Sequence, residues 1–336
     1  MYFYCLILKL KRGDFLNNNK LEDISLLVEV CYSYYNFNKT QSEIASGLGI
    51  SRAKVSNLLS EAKKEGIIEI NIIDPLKRKE KLEKKLRKKY DLRDVIVMPV
   101  PNIASLDIKK ELGKIASDTI KKMLRDGDII GISGGSTIYE MVKSIDQLTL
   151  SNITVVPMFG AFLSVYDIDN DLYTNNIVRQ LAEKTNNADV ANISAPGKVE
   201  SKEIREMLTS HKTIKKGLNI AKKCSVSIVG IGTAKPNASV FSTEVLTKSD
   251  LRELKNEKAV GDICLQFFDK QGQPINQFNE KVIGISLKDI KEMPLVIGVA
   301  GGGEGKSKAI KAALKGGYLH ILITDQLTAE KILEEN

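Results

Sequence analysis

Four glycine-rich turns and one carboxylate are the places where this chain could do chemistry. The turns are ISGGST with Gly134, Gly135, Ser136 and Thr137, PMFGA with Gly160, VGIGTA with Gly230 and Gly232, and GVAGGGEGKS with Lys306. Glycine lets the oxygens of a ligand approach backbone N–H groups, and a helix beginning just after the turn adds partial positive charge. The chemistry that fits is anion binding, with Ser136, Thr137 and Lys306 as further donors. Asp262, in AVGDICLQFFDKQGQP, is either a turn carboxylate that caps local amides or an acceptor for sugar hydroxyls.

The stretch from Ala300 to Ser307 nearly matches the phosphate-binding loop GxxxxGK[ST], with alanine in the place of the first glycine. A nucleotide hydrolase also needs a later strand ending in a magnesium-binding aspartate. Only 29 residues follow Ser307, enough for one strand and one helix, so the loop reads as a phosphate contact by Lys306 and backbone amides. Sugar-phosphate isomerisation would need a general base at the substrate carbon. Asp262 is the one candidate, with no evident acid partner. An isomerase fused to a DNA-binding module is thus the alternative function, and no catalytic residue is assigned.

A second constellation lies near the N-terminus, in KTQSEIASGLGISRAKVSNLLSEAKKEGIIEINI. Thr40 and Glu43 are spaced as a capping box. The short helix over residues 41–47 would bury Ile44 and Ala45, and Gly47 and Gly49 permit a sharp turn. Ser51 then caps a second helix whose buried face is Val55, Leu58, Leu59 and Ala62. In a helix-turn-helix the second helix enters the major groove by its N-terminal end. Arg52 and Asn57 suit base edges, guanine and adenine respectively. Thr40, Gln41, Ser51, Lys54 and Ser56 complete the DNA-facing set, with Thr40, Ser51 and Lys54 suited to phosphates.

The elements that must position these groups follow from periodicity. Ile24, Leu27, Val28, Cys31 and Tyr35 predict an amphipathic helix over residues 23–36, and Ile68, Ile70 and Ile72 a strand or wing. Residues 77–89 hold nine Lys or Arg against two Glu, with Leu82, Leu86 and Tyr90 at helical spacing, which predicts a basic linker helix over 75–90. Beyond it strands and helices alternate. Strands are expected at 95–100, 129–133, 153–158, 190–194, 226–231, 282–285, 295–300 and 319–324. The fold class is therefore an α/β effector domain with a largely parallel sheet, preceded by an all-α (winged) helix-turn-helix domain. The expected limits are 1–19 for a poorly ordered extension, 20–74 for the reader, 75–90 for the linker helix and 91–336 for the effector domain.

Composition fits that organisation. The 336 residues are 43% hydrophobic and 27% charged, with a net charge of +8, compatible with a polyanionic partner. The four cysteines and two histidines match no metal-ligand or disulfide spacing, so neither metal nor cofactor is expected. No apolar run is long enough to span a bilayer, and the basic residues of MYFYCLILKLKRGDF follow its apolar segment instead of preceding it as in a signal peptide. A cytoplasmic protein without a membrane partner is the expectation.

Taken in order along the chain, the reader motif, DPLKRKEKLEKKLRKKYDLRDVIVMP, GDIIGISGGSTIYEM, VESKEIREML, VSIVGIGT, AVGDICLQFFDKQGQPI, VIGISL and VAGGGEGKSKAIKAAL resemble the SorC/DeoR-type sugar-sensing transcriptional regulators. The resemblance implies an effector domain similar to sugar-phosphate isomerases. It also implies a homodimer or homotetramer on a palindromic double-stranded operator, and control by a sugar or sugar phosphate. It assigns the effector site to Gly134, Gly135, Ser136, Thr137, Gly160, Gly230, Gly232, Asp262 and Lys306. Where many relatives carry Trp-Gly-Arg or Trp-Gly-Lys before the threonine, this chain has Gly134-Gly135-Ser136, without an aromatic wall or a basic side chain.

Overall fold

Thr40 starts the second helix of the reader, as its spacing to Glu43 requires. In the computed structural model, which describes residues 18–68, 75–99, 107–161, 172–186, 188–236, 246–302 and 304–334, the Thr40 hydroxyl accepts from Glu43 N (3.2 Å) and the Glu43 carboxylate accepts from Thr40 N (2.8 Å). These bonds hold the Glu43 carboxyl below its usual range. The chain divides into two compact units, Met1–Ile73 and Asp74–Asn336.

The first unit consists of α1 (Asn18–Cys31), α2 (Gln41–Leu48) and α3 (Arg52–Lys64). Leu27, Val30, Ile44, Val55, Leu58 and Ala62 form its core. Gly49 ends α2 in the left-handed region (φ +66), where a glycine has no steric penalty. Ser51 caps α3 by accepting from Lys54 N at 3.1 Å. The first helix departs from expectation. Its α-helical part stops at Cys31 and a π-helical turn, Tyr32–Asn36, follows. The wider turn shifts the register, so Tyr35 is exposed instead of continuing the apolar stripe. The wing expected at residues 68–72 lies mostly outside the described residues.

The second unit is built on a seven-stranded, wholly parallel sheet. Its strands are β1 (Asp94–Met98), β2 (Ile129–Ile132), β3 (Thr154–Pro157), β4 (Asp189–Val190), β5 (Val226–Val229), β9 (Val296–Val299) and β10 (Ile321–Asp325), in the order β1-β10-β9-β5-β2-β3-β4. A small antiparallel sheet joins β6 (Gly232–Thr233), β7 (Gly261–Ile263) and β8 (Gln266–Phe268). Parallel sheets are covered on both faces, and strand side chains alternate between them. Val95 and Val97 pack in one core with the helices α4 (Pro75–Tyr90), α9 (Lys212–Ala221) and α13 (Glu304–Lys315); Met98 packs in the other with α5 (Ile108–Lys121), α6 (Ser136–Ser144) and α7 (Thr174–Glu183). The helices α8 (Lys202–Ser210), α10 (Lys248–Asn256), α11 (Asn276–Asn279), α12 (Leu287–Glu292) and α14 (Gln326–Glu334) complete the unit.

Three expected elements take a different form. The strand expected at 190–194 is reduced to the two residues of β4, Asp189–Val190. Residues 282–285 make only isolated bridges, Lys198 with Val282 and Phe159 with Gly284. They are apolar because Val282, Ile283 and Ile285 are buried beneath loops, not because a ladder forms. The basic helix α4 is integral to the second unit. Leu82 and Leu86 are buried in its core, Glu83 accepts from Val97 N (2.8 Å), and Arg78 pairs with Glu330 (2.7 Å). Leu86→Ala should therefore cost about 2–5 kcal/mol. Urea unfolding followed by circular dichroism measures it, and a loss below about 0.5 kcal/mol would mean that α4 merely rests on the surface.

Candidate functional site

Neighbouring strands β2 and β5 send their chains in opposite directions, β2 toward β3 and β5 toward the β9 side of the sheet. Ligands of open α/β sheets bind at such a divergence, beyond the carboxyl ends of the strands. Three of the four glycine turns meet here, those after β2, β5 and β9. The turns after β2 and β5 are tied together, since the Ser133 hydroxyl accepts from Gly230 N at 2.8 Å. Gly135 is the N-cap of α6 with φ +111 and no side-chain cap. The first turn of α6, with Ser136 and Thr137 half-buried, thus presents N–H groups that an anion could cap.

Asp262 lies beside the turn after β5. It pairs with Gly232 across β6 and β7, and a Cβ on Gly232 would stand 1.8 Å from its Oδ1, so a larger residue there would displace the carboxylate. Asp262 is buried. Its Oδ2 accepts from Leu265 N (3.2 Å), while Oδ1 has no hydrogen-bond partner. Burial pushes its carboxyl up to about 6, partly offset by the Lys306 ammonium and the Leu265 bond. Burial likewise pushes Lys306 down, with Asp262 opposing. Lys306, in the first turn of α13, donates to the carbonyl of Ile231 and so lies at the turn after β5.

Asp325, at the end of β10, was not singled out by its sequence context, yet it fixes the loop that precedes Lys306. Fully buried, it accepts from Gly302 N (2.7 Å), Thr328 N (2.9 Å) and the Thr328 hydroxyl (2.6 Å). The signal was present as Asp325 and Thr328 at capping spacing. Both of its oxygens take part in these bonds, and among the described residues no group of three or more His, Cys, Asp or Glu could hold a metal. Gly160 is accounted for by packing. Its Cα faces the carbonyls of Ala195 and Pro196, each 2.5 Å from a Cβ placed there. Thr174, buried against Gly134, has a hydroxyl without a partner.

The other reactive side chains are structural. Cys224 and Cys264 are buried thiols pushed up by burial, Cys224 to about 12, and so are poor nucleophiles at neutral pH. His320 accepts from Val296 N at 3.0 Å, and burial lowers its pKa.

On α3 the face opposite the core carries Arg52, Lys54, Ser56 and Asn57, all exposed. Among the described residues neither Arg52 nor Lys54 makes an ion pair. Thr40 and Ser51 use their hydroxyls as caps, and Gln41, half-buried, opens α2.

Residues 74–334 match the family described as "Putative sugar-binding domain". The chain is 28% identical over 317 residues to the deoxyribonucleoside regulator of Bacillus subtilis (strain 168), covering 94% of this chain and 99% of that protein. It is 30% identical over 315 residues to the transcriptional regulator LsrR of Escherichia coli (strain K12), covering 91% and 94%. The full-length sorbitol operon regulator SorC from Klebsiella pneumoniae superposes with a TM-score of 0.69 at 26% identity, covering 93% of this chain and 100% of that one. The chain belongs to the SorC/DeoR-type sugar-binding transcriptional regulators. The match to full-length SorC spans both units of this regulator, reader and sugar-binding domain alike. Among the described residues of this family member, no helix is long and apolar enough to cross a membrane.

The buried carboxylate gives this regulator a pH signature. With Asp262 raised from 3.8 to about 6 in the folded protein, the folded state holds the proton more tightly than the unfolded chain. Stability is unpenalised below the ordinary value, falls as pH rises from 3.8 to about 6, and carries the full penalty above that. Asp262→Asn should flatten the profile by on the order of 3 kcal/mol. Unfolding free energies of both proteins across this range measure the difference. Parallel profiles would place the Asp262 carboxylate in water.

Proposed function

We infer that this protein represses or activates a carbohydrate-related operon by binding a palindromic double-stranded operator as a homodimer or homotetramer in the cytoplasm. Its control is a sugar or sugar phosphate in the cleft between the turns after β2, β5 and β9. The observation that carries this reading is Asp262, a buried carboxylate with one unpartnered oxygen, beside the ammonium of Lys306. Sugar hydroxyls supply the donors that Asp262 lacks. The uncapped amides of α6, the hydroxyls of Ser136 and Thr137 and the charge of Lys306 suit a phosphate. Gly134, Gly135, Gly230 and Gly232 keep the approach open, and Gly160 shapes the neighbouring turn. In the reader, Arg52 and Asn57 read bases, while Thr40, Gln41, Ser51, Lys54 and Ser56 hold the backbone. No cofactor takes part.

A raised carboxyl pKa also favours a second reading, a sugar-phosphate isomerase in which Asp262 is the general base. Its one titratable neighbour described in the cleft is Lys306, which would have to serve as the acid; the relatives are named as regulators, so binding without turnover is the reading preferred. Incubating the full chain with aldose and ketose phosphates separates the two. Turnover abolished by Asp262→Asn would establish the enzyme.

For the regulator, footprinting should reveal discrete protected sites, and binding without discrete sites would overturn the reading. Arg52→Ala should lose about 1–3 kcal/mol of operator discrimination; an unchanged sequence preference would reassign Arg52 to phosphate. Lys306→Ala should weaken effector binding by roughly 10–100-fold and leave effector-free operator binding intact. A thermal-shift screen against sugars and sugar phosphates supplies the effector, which at a hundred times its Kd should stabilise the chain by about 2.7 kcal/mol.

A further inference from the structure

Helix α4 carries two kinds of basic side chain. Arg78 pairs with Glu330 at 2.7 Å, Lys79 with Glu83 at 3.7 Å and Arg87 with Asp94 at 3.6 Å, and Lys89 lies over the Tyr90 ring at 5.6 Å. The Arg78 and Arg87 pairs reach off the helix and hold it on its own unit, while the Lys79 and Lys89 contacts lie within it. Lys81, Lys84, Lys85 and Lys88 are different. All four are exposed, and none has an ion pair or hydrogen bond among the described residues. At 3.6 residues per turn they form one row, a band about 100° wide turned roughly 130° around the helix from Leu82 and Leu86, which are buried. Glu80 borders the row, and no ion pair among the described residues joins it to any of them.

Such a row is costly to an isolated helix. Like charges three and four residues apart destabilise it, where a solvated face gains from alternating signs. The row runs about 10 Å along the helix axis. Duplex DNA presents a phosphate about every 1.7 Å of its axis, counting both strands, so that length meets several phosphates. Only residues 69–74 separate α4 from the end of the described reader in the chain.

We propose that Lys81, Lys84, Lys85 and Lys88 form a second, sequence-independent DNA contact that grips backbone phosphates of the operator duplex. The proposal rests on the DNA-binding reading of α3 and adds a surface that reading does not need. Its contribution is electrostatic, strengthening binding to any duplex and leaving base preference to Arg52 and Asn57.

The test is a salt series on the full-length protein, with operator and unrelated duplexes, between about 50 and 200 mM salt. The variant K81Q/K84Q/K85Q/K88Q removes the row and keeps good helix formers. For every phosphate that the row neutralises, its removal should lower the salt slope by about 0.9, or about threefold in the affinity change across that range. The weakening should be equal on both duplexes. An all-arginine variant of the same row should keep the slope. A control, K212Q/K215Q/K216Q/K223Q, removes as many exposed lysines elsewhere and should leave the slope unchanged. Unchanged circular dichroism establishes that the row variant is folded.

An unaltered slope in the row variant overturns the proposal, as does an equal effect in the control. A changed sedimentation coefficient with an unaltered slope also overturns it and assigns the row to contact with another copy of the chain. Failure of the parent reading is distinct, because wild-type protein would then protect no discrete site.

Discussion

A carboxylate taken out of water must be matched by donors, and two of the buried carboxylates described in the sugar-binding unit are matched to different degrees. Asp325 receives Gly302 N, Thr328 N and the Thr328 hydroxyl. It thereby pins the turn after β9 and starts the last helix. Asp262 receives only Leu265 N, and its other oxygen faces Gly232 without a partner. The first is a finished structural joint. The second is an incomplete one, whose desolvation shows as a raised pKa and is offset in part by the nearby Lys306 and the Leu265 bond. The cleft lies between the ends of β2, β5 and β9 because a parallel sheet leaves its loop space there, and the Ser133–Gly230 bond holds two of its turns in place.

Much of this was legible from residue spacing. The Thr40–Glu43 capping box and the Ser51 cap are satisfied as their positions require, since helix capping depends on residues within one turn. The strands β1, β2, β3, β5, β9 and β10 were visible as apolar runs of the right length, because a strand buried on both faces needs them. The stretch at 282–285 shows the limit of that rule, for burial beneath loops selects the same side chains as burial in a sheet. Tyr35 shows another. Periodicity assumes 3.6 residues per turn, and a single π-helical turn shifts the phase of everything after it.

Long-range joints were the less visible part. Asp325 and Gly302 are 23 residues apart, and neither residue announces the other. The basic helix illustrates the same gap. Its charge suggested a linker, whereas Leu82, Leu86 and the Glu83–Val97 bond make it part of the sheet's covering layer. A stripe of two leucines and a tyrosine gives the direction of a buried face but not the surface it meets.

The two charges of the cleft explain why a sugar carrying an anionic group suits it better than either part alone. Burial displaces both toward neutrality, Asp262 upward and Lys306 downward. A hydroxyl donor at Asp262 favours its ionised form, and an anion near Lys306 favours the ammonium. A ligand bringing both favours the charged form of each group at once, without leaving either buried charge unpaired. Hydroxyls without an anion would satisfy Asp262 and leave the uncapped amides of α6 unmatched. A free anion would serve α6 and Lys306 but repel the carboxylate. On the proposed assignment, selectivity for a hydroxylated anion would arise from two imperfectly solvated groups in one site, where a missing partner on the ligand leaves the full desolvation penalty in place.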